Sequence, residues 1–144
     1  MNSEFVPLVL VACCLAVSWT DLQSRRIPNR ILLFAFFAVA AHQLSYFGAR
    51  QLIVSLLSGL VPLLMFCLLS LRWPEAVGMG DVKLLALLAF ALGFAAFTAI
   101  LLLASLFALF FVLCLRLGKR KTPAGPIPFA PFVTLGLLLH VCLQ

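Results

Sequence analysis

The chain has 144 residues, 65% of them hydrophobic, with ten Lys or Arg against four Asp or Glu and a net charge of +6. Soluble domains carry about 45–50% apolar and about 25% charged residues; here the charged share is 10% and the mean hydropathy +1.24, which excludes a soluble globular enzyme, a disordered chain and a coiled coil. The composition is that of an all-α, polytopic membrane protein, and apolar runs near both termini predict one membrane-embedded domain over residues 1–144 with no soluble domain appended.

A hydrocarbon core of about 30 Å takes about 20 helical residues. The first apolar run covers residues 5–20. Its leading stretch, MNSEFV, carries Glu4 and no Lys or Arg. A secretory signal has a basic lead, so this run is read as a retained helix. The polar stretch DLQSRRIPNR, residues 21–30, precedes the second run, 31–47. A short turn over 48–51, with Arg50, leads to the third run, 52–71. RWPEAVGMGDVK, residues 72–83, follows, broken by Pro74 and its glycines.

Residues 84–115 then contain no formal charge. As one helix they would extend about 48 Å. One helix splits the basic residues evenly across the membrane. Two helices, broken near Gly93, put all of them on one side except Arg50, as the positive-inside rule favours. The last helix is expected near Pro131, with proline in its first turn, because Pro123, Pro126 and Pro128 before it cannot sit inside a regular helix. The expected topology is six transmembrane helices, both termini outside, with residues 21–30, 72–83 and 116–125 in the cytoplasm.

The basic residues fall in short loops, so they read as topology signals, with no nucleic-acid partner expected. The five cysteines all lie inside apolar runs, without a CxxC pair. They read as packing residues; no metal site and no cofactor is expected. His42 and His140 are expected on the outer side in structural roles.

The acids carry the chemistry. Glu4, Asp21, Glu75 and Asp81 are the whole inventory. Asp21 is expected to end the first helix and Asp81 to open the fourth, both at the cytoplasmic boundary. Asp81 at a helix start reads equally as an N-cap. Asp21 at a helix C-terminus faces partial negative charge, which a cap does not explain. Gly78 and Gly80, in GMGD, would let backbone approach another segment or a substrate closely.

GMGDVKLLALLAFALG, residues 78–93, resembles the GxGD segment of the type IV prepilin peptidases, in which GxGDxK opens a membrane helix and its Asp is catalytic. TDLQSRRIPNRI, residues 20–31, is similar to that family's first aspartate segment, and PIPFAPFVTLG, residues 126–136, to its late segment. By resemblance, Asp21 and Asp81 are the catalytic pair. Gly78, Gly80, Lys83, Pro28 and Asn29 match the surrounding motifs, and Pro126, Pro128, Phe129 and Pro131 match the late one. Ala130 stands where the family often has Gly. Larger family members add a cytoplasmic domain with paired CxxC motifs, and many methylate the new N-terminus. This sequence has neither that domain nor the CxxC pairs and resembles the short form serving tight-adherence (Flp-type) pili or related secretion systems, so methylation is not expected.

The resemblance implies an aspartic endopeptidase of the bacterial inner membrane, needing neither cofactor nor metal. Its partners would be the lipid bilayer and a prepilin or pilin-like precursor, a short leader followed by a hydrophobic helix, cleaved at the cytoplasmic boundary. The alternative is a non-catalytic component of a pilus or secretion assembly, or a small transporter subunit. Two carboxylates sharing a site do not ionise together easily. Helix dipoles assign the anion to Asp81 and the proton to Asp21, an order that Arg25, Arg26 or Lys83 can reverse by pairing with Asp21.

Overall fold

The computed structural model describes residues 5–24, 27–73, 78–117 and 128–143. These form five helices: α1 (Phe5–Ser24), α2 (Asn29–Arg72), α3 (Met79–Leu92), α4 (Phe94–Leu117) and α5 (Ala130–Cys142). Among the described residues there is no strand, as the composition predicts. α1, α2 and α4 are each long and apolar enough to cross a membrane.

α2 is not one rod. Gly48 has φ +78° and ψ 178°, a backbone region open essentially to glycine alone, and the chain reverses there. Phe36, before Gly48, has its ring centroid 4.8 Å from that of Phe90. Gly59, after it, lies so close to the same residue that an added Cβ would stand 2.9 Å from Phe90 Cβ. In a straight helix residues 36 and 59 would be about 34 Å apart. They reach one side chain because the arms 29–47 and 49–72 lie side by side. The expected turn over 48–51 is therefore a single residue, with Arg50 and Gln51 already helical. Gly93 repeats the device between α3 and α4, with φ +84° and ψ 167°, where the charge distribution placed the break.

Three other boundaries differ from expectation. α1 continues to Ser24, so Asp21 lies in its last turn and not at its end. α2 opens at Asn29 behind Pro28, whose ring presets φ at −72°. α3 begins at Met79, which makes Asp81 its third residue. α5 does start at the late prolines, with Pro131 in its first turn as expected.

The buried core runs through Leu10, Cys14 and Val17 of α1, Val82, Leu84 and Leu88 of α3, Ile100 and Ala104 of α4, and Val133 and Leu137 of α5. Cys13 and Cys14 pack within it, whereas Cys114 and Cys142 are exposed. The outer faces are apolar too: Leu8, Phe34, Phe37, Leu68 and Leu117 are each largely exposed, a surface suited to hydrocarbon and not to water.

Two joints set the distances inside the bundle. Gly136 of α5 sits against the backbone of α4, where an added Cβ would lie 2.9 Å from Ile100 O and 3.2 Å from Ala104 N. On the other side of α5, Ser18 Oγ and Thr134 Oγ1 share a buried hydrogen bond of 2.6 Å. The Thr134 hydroxyl also reaches the carbonyls of Cys14 and Ala130, at 3.1 and 2.9 Å.

The bundle has a polar end and an apolar end. Asp21, Asn29, Asp81 and Lys83 gather at one. Arg30 follows Asn29 there, Arg72 closes the returning arm of α2, and Arg116 lies beyond Phe111, whose ring packs 5.5 Å from Phe132 at the start of α5. At the other end Phe5 stacks on the buried His42 at 4.8 Å. Gln43 donates to Phe90 O at 3.5 Å, reaching one of the carbonyls that the end of α3 leaves open. Gly48, Arg50 and Gly93 belong to this second end.

Candidate active site

Asp21 and Asp81 line one cleft of about 390 Å³ at the polar end, with Ile27, Asn29, Lys83 and the Gly78–Met79–Gly80 backbone. The helix period explains how α1 delivers its acid. Asp21 follows Leu10, Cys14 and Val17 at spacings of 11, 7 and 4 residues, on the buried stripe of α1. Asp21 is only 8% exposed.

The alternative reading of Asp81 as an N-cap is not observed. Gly78 occupies the N-cap and makes no side-chain cap bond; its carbonyl accepts from Val82 N–H at 3.2 Å. Asp81 instead faces the cleft, with Oδ2 only 3.3 Å from the point where a Cβ on Gly78 would stand. Gly80 has a different neighbour. A Cβ there would meet Ile27 Cβ at 2.8 Å, so the absence of a side chain lets residues 27–29 lie against the start of α3. Lys83 Nζ donates to Asn29 Oδ1 at 3.0 Å across the same junction.

Pro28, Asn29, Gly78, Gly80 and Lys83, separated in sequence, thus surround the two acids or the joint beside them. The late segment does not. Pro128, Phe129 and Pro131 lie outside the cleft lining, at or just before the start of α5. Their helix approaches the acids indirectly, through Thr134 and its bond to Ser18, one turn before Asp21. Pro126, Glu75, Arg25 and Arg26 fall outside the described residues. Sequence reading missed Ser18, Thr134 and Ile27. The available signal was Ser18 itself, a polar residue three positions before Asp21 on an apolar helix.

The apolar run of α3 begins at Leu84, so Asp81 lies ahead of it. Burial pushes the Asp81 carboxyl from 3.8 up to about 6, and the negative charge of Asp21 adds to the rise. Burial thus opposes the helix dipole, which alone would favour the anion at Asp81. A favourable helix-end contact is worth about 0.3–1 kcal/mol, which desolvation of a largely buried carboxylate outweighs.

Chemically, the cleft offers two carboxyls, that of Asp81 with a raised proton affinity, an ammonium and an amide. Among the described residues, no group of three His, Cys, Asp or Glu side chains is placed to hold a metal ion. The pair suits general acid–base work on a carbonyl compound and a water molecule.

A family model described as the type IV leader peptidase family matches residues 8–113. The prepilin leader peptidase/N-methyltransferase of Bacillus subtilis (strain 168) is 34% identical over 140 residues, covering 94% of this chain and 54% of that protein. The protein of the same name from Burkholderia pseudomallei (strain 1026b) is 30% identical over 133 residues, covering 88% and 42%. That of Aeromonas salmonicida (strain A449) is 29% identical over 132 residues, covering 89% and 45%. The chain spans about half the length of the curated relatives it matches. No solved structure matches it.

Proposed function

The chain belongs to the type IV leader peptidase family, and from that premise we propose that it is an aspartic endopeptidase removing the leader from prepilin or pilin-like precursors. The observation that carries this reading is the convergence of Asp21 and Asp81 on one cleft at the polar end of an otherwise apolar bundle. A transporter subunit would instead place its acid near the middle of the membrane, and a purely structural component has no use for a desolvated acid pair.

The proposed reaction needs only the two carboxyls and a water. Asp21, ionised, takes a proton from the water as its oxygen attacks the scissile carbonyl carbon. Asp81, protonated, hydrogen-bonds the carbonyl oxygen and stabilises the negative charge that develops there. Collapse of the tetrahedral intermediate breaks the C–N bond. The leaving amine takes up a proton from the pair. Gly78, Gly80, Pro28, Asn29 and Lys83 hold the two segments in register, and Pro128, Phe129 and Pro131 seat the helix that braces α1.

In this reading residues 1–144 act as one membrane-embedded domain of the bacterial inner membrane. Six helical segments cross it, with both termini outside and the acids at the cytoplasmic face. Support comes from the charges: Arg30, Arg72, Lys83 and Arg116 share the acid end and Arg50 lies at the other. In a cysteine-free background, Gln51→Cys should react with an impermeant thiol reagent in intact cells, and Trp73→Cys only after permeabilisation. Labelling of Trp73→Cys from outside overturns the orientation.

Co-expression with a candidate precursor tests the activity itself. The precursor should shift to the mobility of the shortened chain when the enzyme is present. An inserted, folded enzyme that shifts none of a panel of pilin-like precursors contradicts the proposal.

A further inference from the structure

The acid cleft is not the end of the space that opens at its rim. A groove of about 520 Å³ runs between the two arms of α2 and α3, and Asn29 and Lys83 wall both it and the cleft. Below that shared lip the walls are apolar. On α3 they are Ala86, Leu87 and Phe90, which with Lys83 recur at i, i+3, i+4 and i+7 and form one helix face. Asp81 belongs to the opposite face with Leu84, Leu85 and Leu88. Leu33 and Leu60 flank the groove from the two arms of α2 and are 53% and 45% exposed, so it is open along its length. Gly59 forms its floor, where any side chain would meet Phe90 Cβ and Ala86 O.

We propose that this groove binds the apolar segment of the substrate immediately adjacent to the scissile bond, as a helix descending from the Asn29–Lys83 lip. This rests on the peptidase reading above and adds where the substrate's membrane segment lies. A peptide stretched across Asp21 and Asp81 that turns into the membrane meets the groove at residues already lining the cleft. The order of surfaces, acids, then a polar lip, then hydrocarbon, is the order such a chain presents. From Lys83 to Phe90 the apolar wall extends about 10 Å, so about two turns of substrate helix are read. A lipid tail also suits the walls, and the crosslinking readout below separates it from the substrate.

The test uses the full chain in lipid nanodiscs with two substrates: an intact precursor, and a short soluble peptide spanning the same bond without the apolar segment. Leu33→Trp and Leu60→Trp fill the groove. Val61→Trp, on the same arm and outside the groove lining, is the control. Filling the groove should cut kcat/KM on the precursor by about tenfold or more while sparing the peptide, and the control should cleave both as wild type does. Wild-type cleavage of the precursor by both filled variants overturns the groove assignment and leaves the peptidase reading standing. Equal losses on precursor and peptide also overturn it, since the effect then lies in the cleft. A wild-type protein that cleaves neither substrate removes the peptidase reading and the groove assignment with it. Should the filled variants fail to fold, a photo-crosslinking residue at position 33 in the Asp81→Asn protein gives the second readout. Crosslinks to the precursor just beyond the scissile bond support the assignment, and crosslinks to lipid alone give the groove to acyl chains.

Discussion

Asp21→Asn and Asp81→Asn should each reduce precursor cleavage to background while the protein still inserts and folds. The amide matches the acid in shape, so the cleft keeps its geometry and loses only its proton chemistry. Removing a positioned general acid or base costs roughly 10²–10⁴-fold in rate, and the two losses should not add, because the carboxyls act as one unit. The double variant should therefore be no slower than the slower single one. Glu75→Ala should cleave as wild type does, since Glu75 matches no catalytic position. Initial rates on a purified precursor, followed by mass spectrometry, check all four. Near-wild-type cleavage by either Asp variant removes that residue from the site.

The second large effect is expected far from the acids. Gly136→Leu puts a side chain where even a Cβ would lie 2.9 Å from Ile100 O and 3.2 Å from Ala104 N. These are backbone atoms of α4, so no rotamer change relieves the clash, and α5 has to move. Overpacking of this kind costs about 1–3 kcal/mol, and a leucine against backbone belongs at the upper end. Because Thr134 on α5 bonds Ser18 one turn before Asp21, displacement of α5 should also impair cleavage. Thermal unfolding in detergent should show a clear loss for Gly136→Leu and a smaller one for Gly136→Ala. Gly48→Ala separates packing from backbone strain. Nothing lies within 4 Å of its added Cβ, so its cost is that of the glycine-only backbone region, about 1–3 kcal/mol.

The contrast between these positions shows what was readable in advance. The break at Gly93 followed from an uncharged stretch too long for one span and from where the basic residues fall, both properties of sequence alone. The gathering of Asp21, Asn29, Asp81 and Lys83 at one end followed from the same arithmetic together with the motif resemblance. The close approaches did not. Gly59, Gly80 and Gly136 earn their places by the neighbour that each admits, and a neighbour is set by tertiary packing. The reversal at Gly48 looked like a four-residue turn because nothing local distinguishes a single glycine in an unusual backbone state from a short loop. The rise of the Asp81 carboxyl was not legible for a related reason. The helix dipole can be read from position along a helix, whereas the burial that holds the proton on Asp81 comes from the surrounding elements. The bond between Ser18 and Thr134 joins residues 116 positions apart, beyond the reach of any periodicity.

The claim at the centre of this account is that Asp21 and Asp81 form one coupled pair, and the titration of their carboxyl carbons tests it most directly. The chain has only two aspartates, so isotope-labelled aspartate gives two signals, and each Asp→Asn variant assigns the one that disappears. In the free enzyme Asp81 should hold its proton below about pH 6 and lose it as the pH rises through that value. The singly protonated pair, and with it kcat/KM, should decline over the same range. In Asp21→Asn the midpoint of Asp81 should fall, because the neighbouring negative charge is gone, yet remain above the ordinary carboxylate range, because burial persists. Two independent titrations in that ordinary range, with Asp81 unmoved by Asp21→Asn, would contradict the pair.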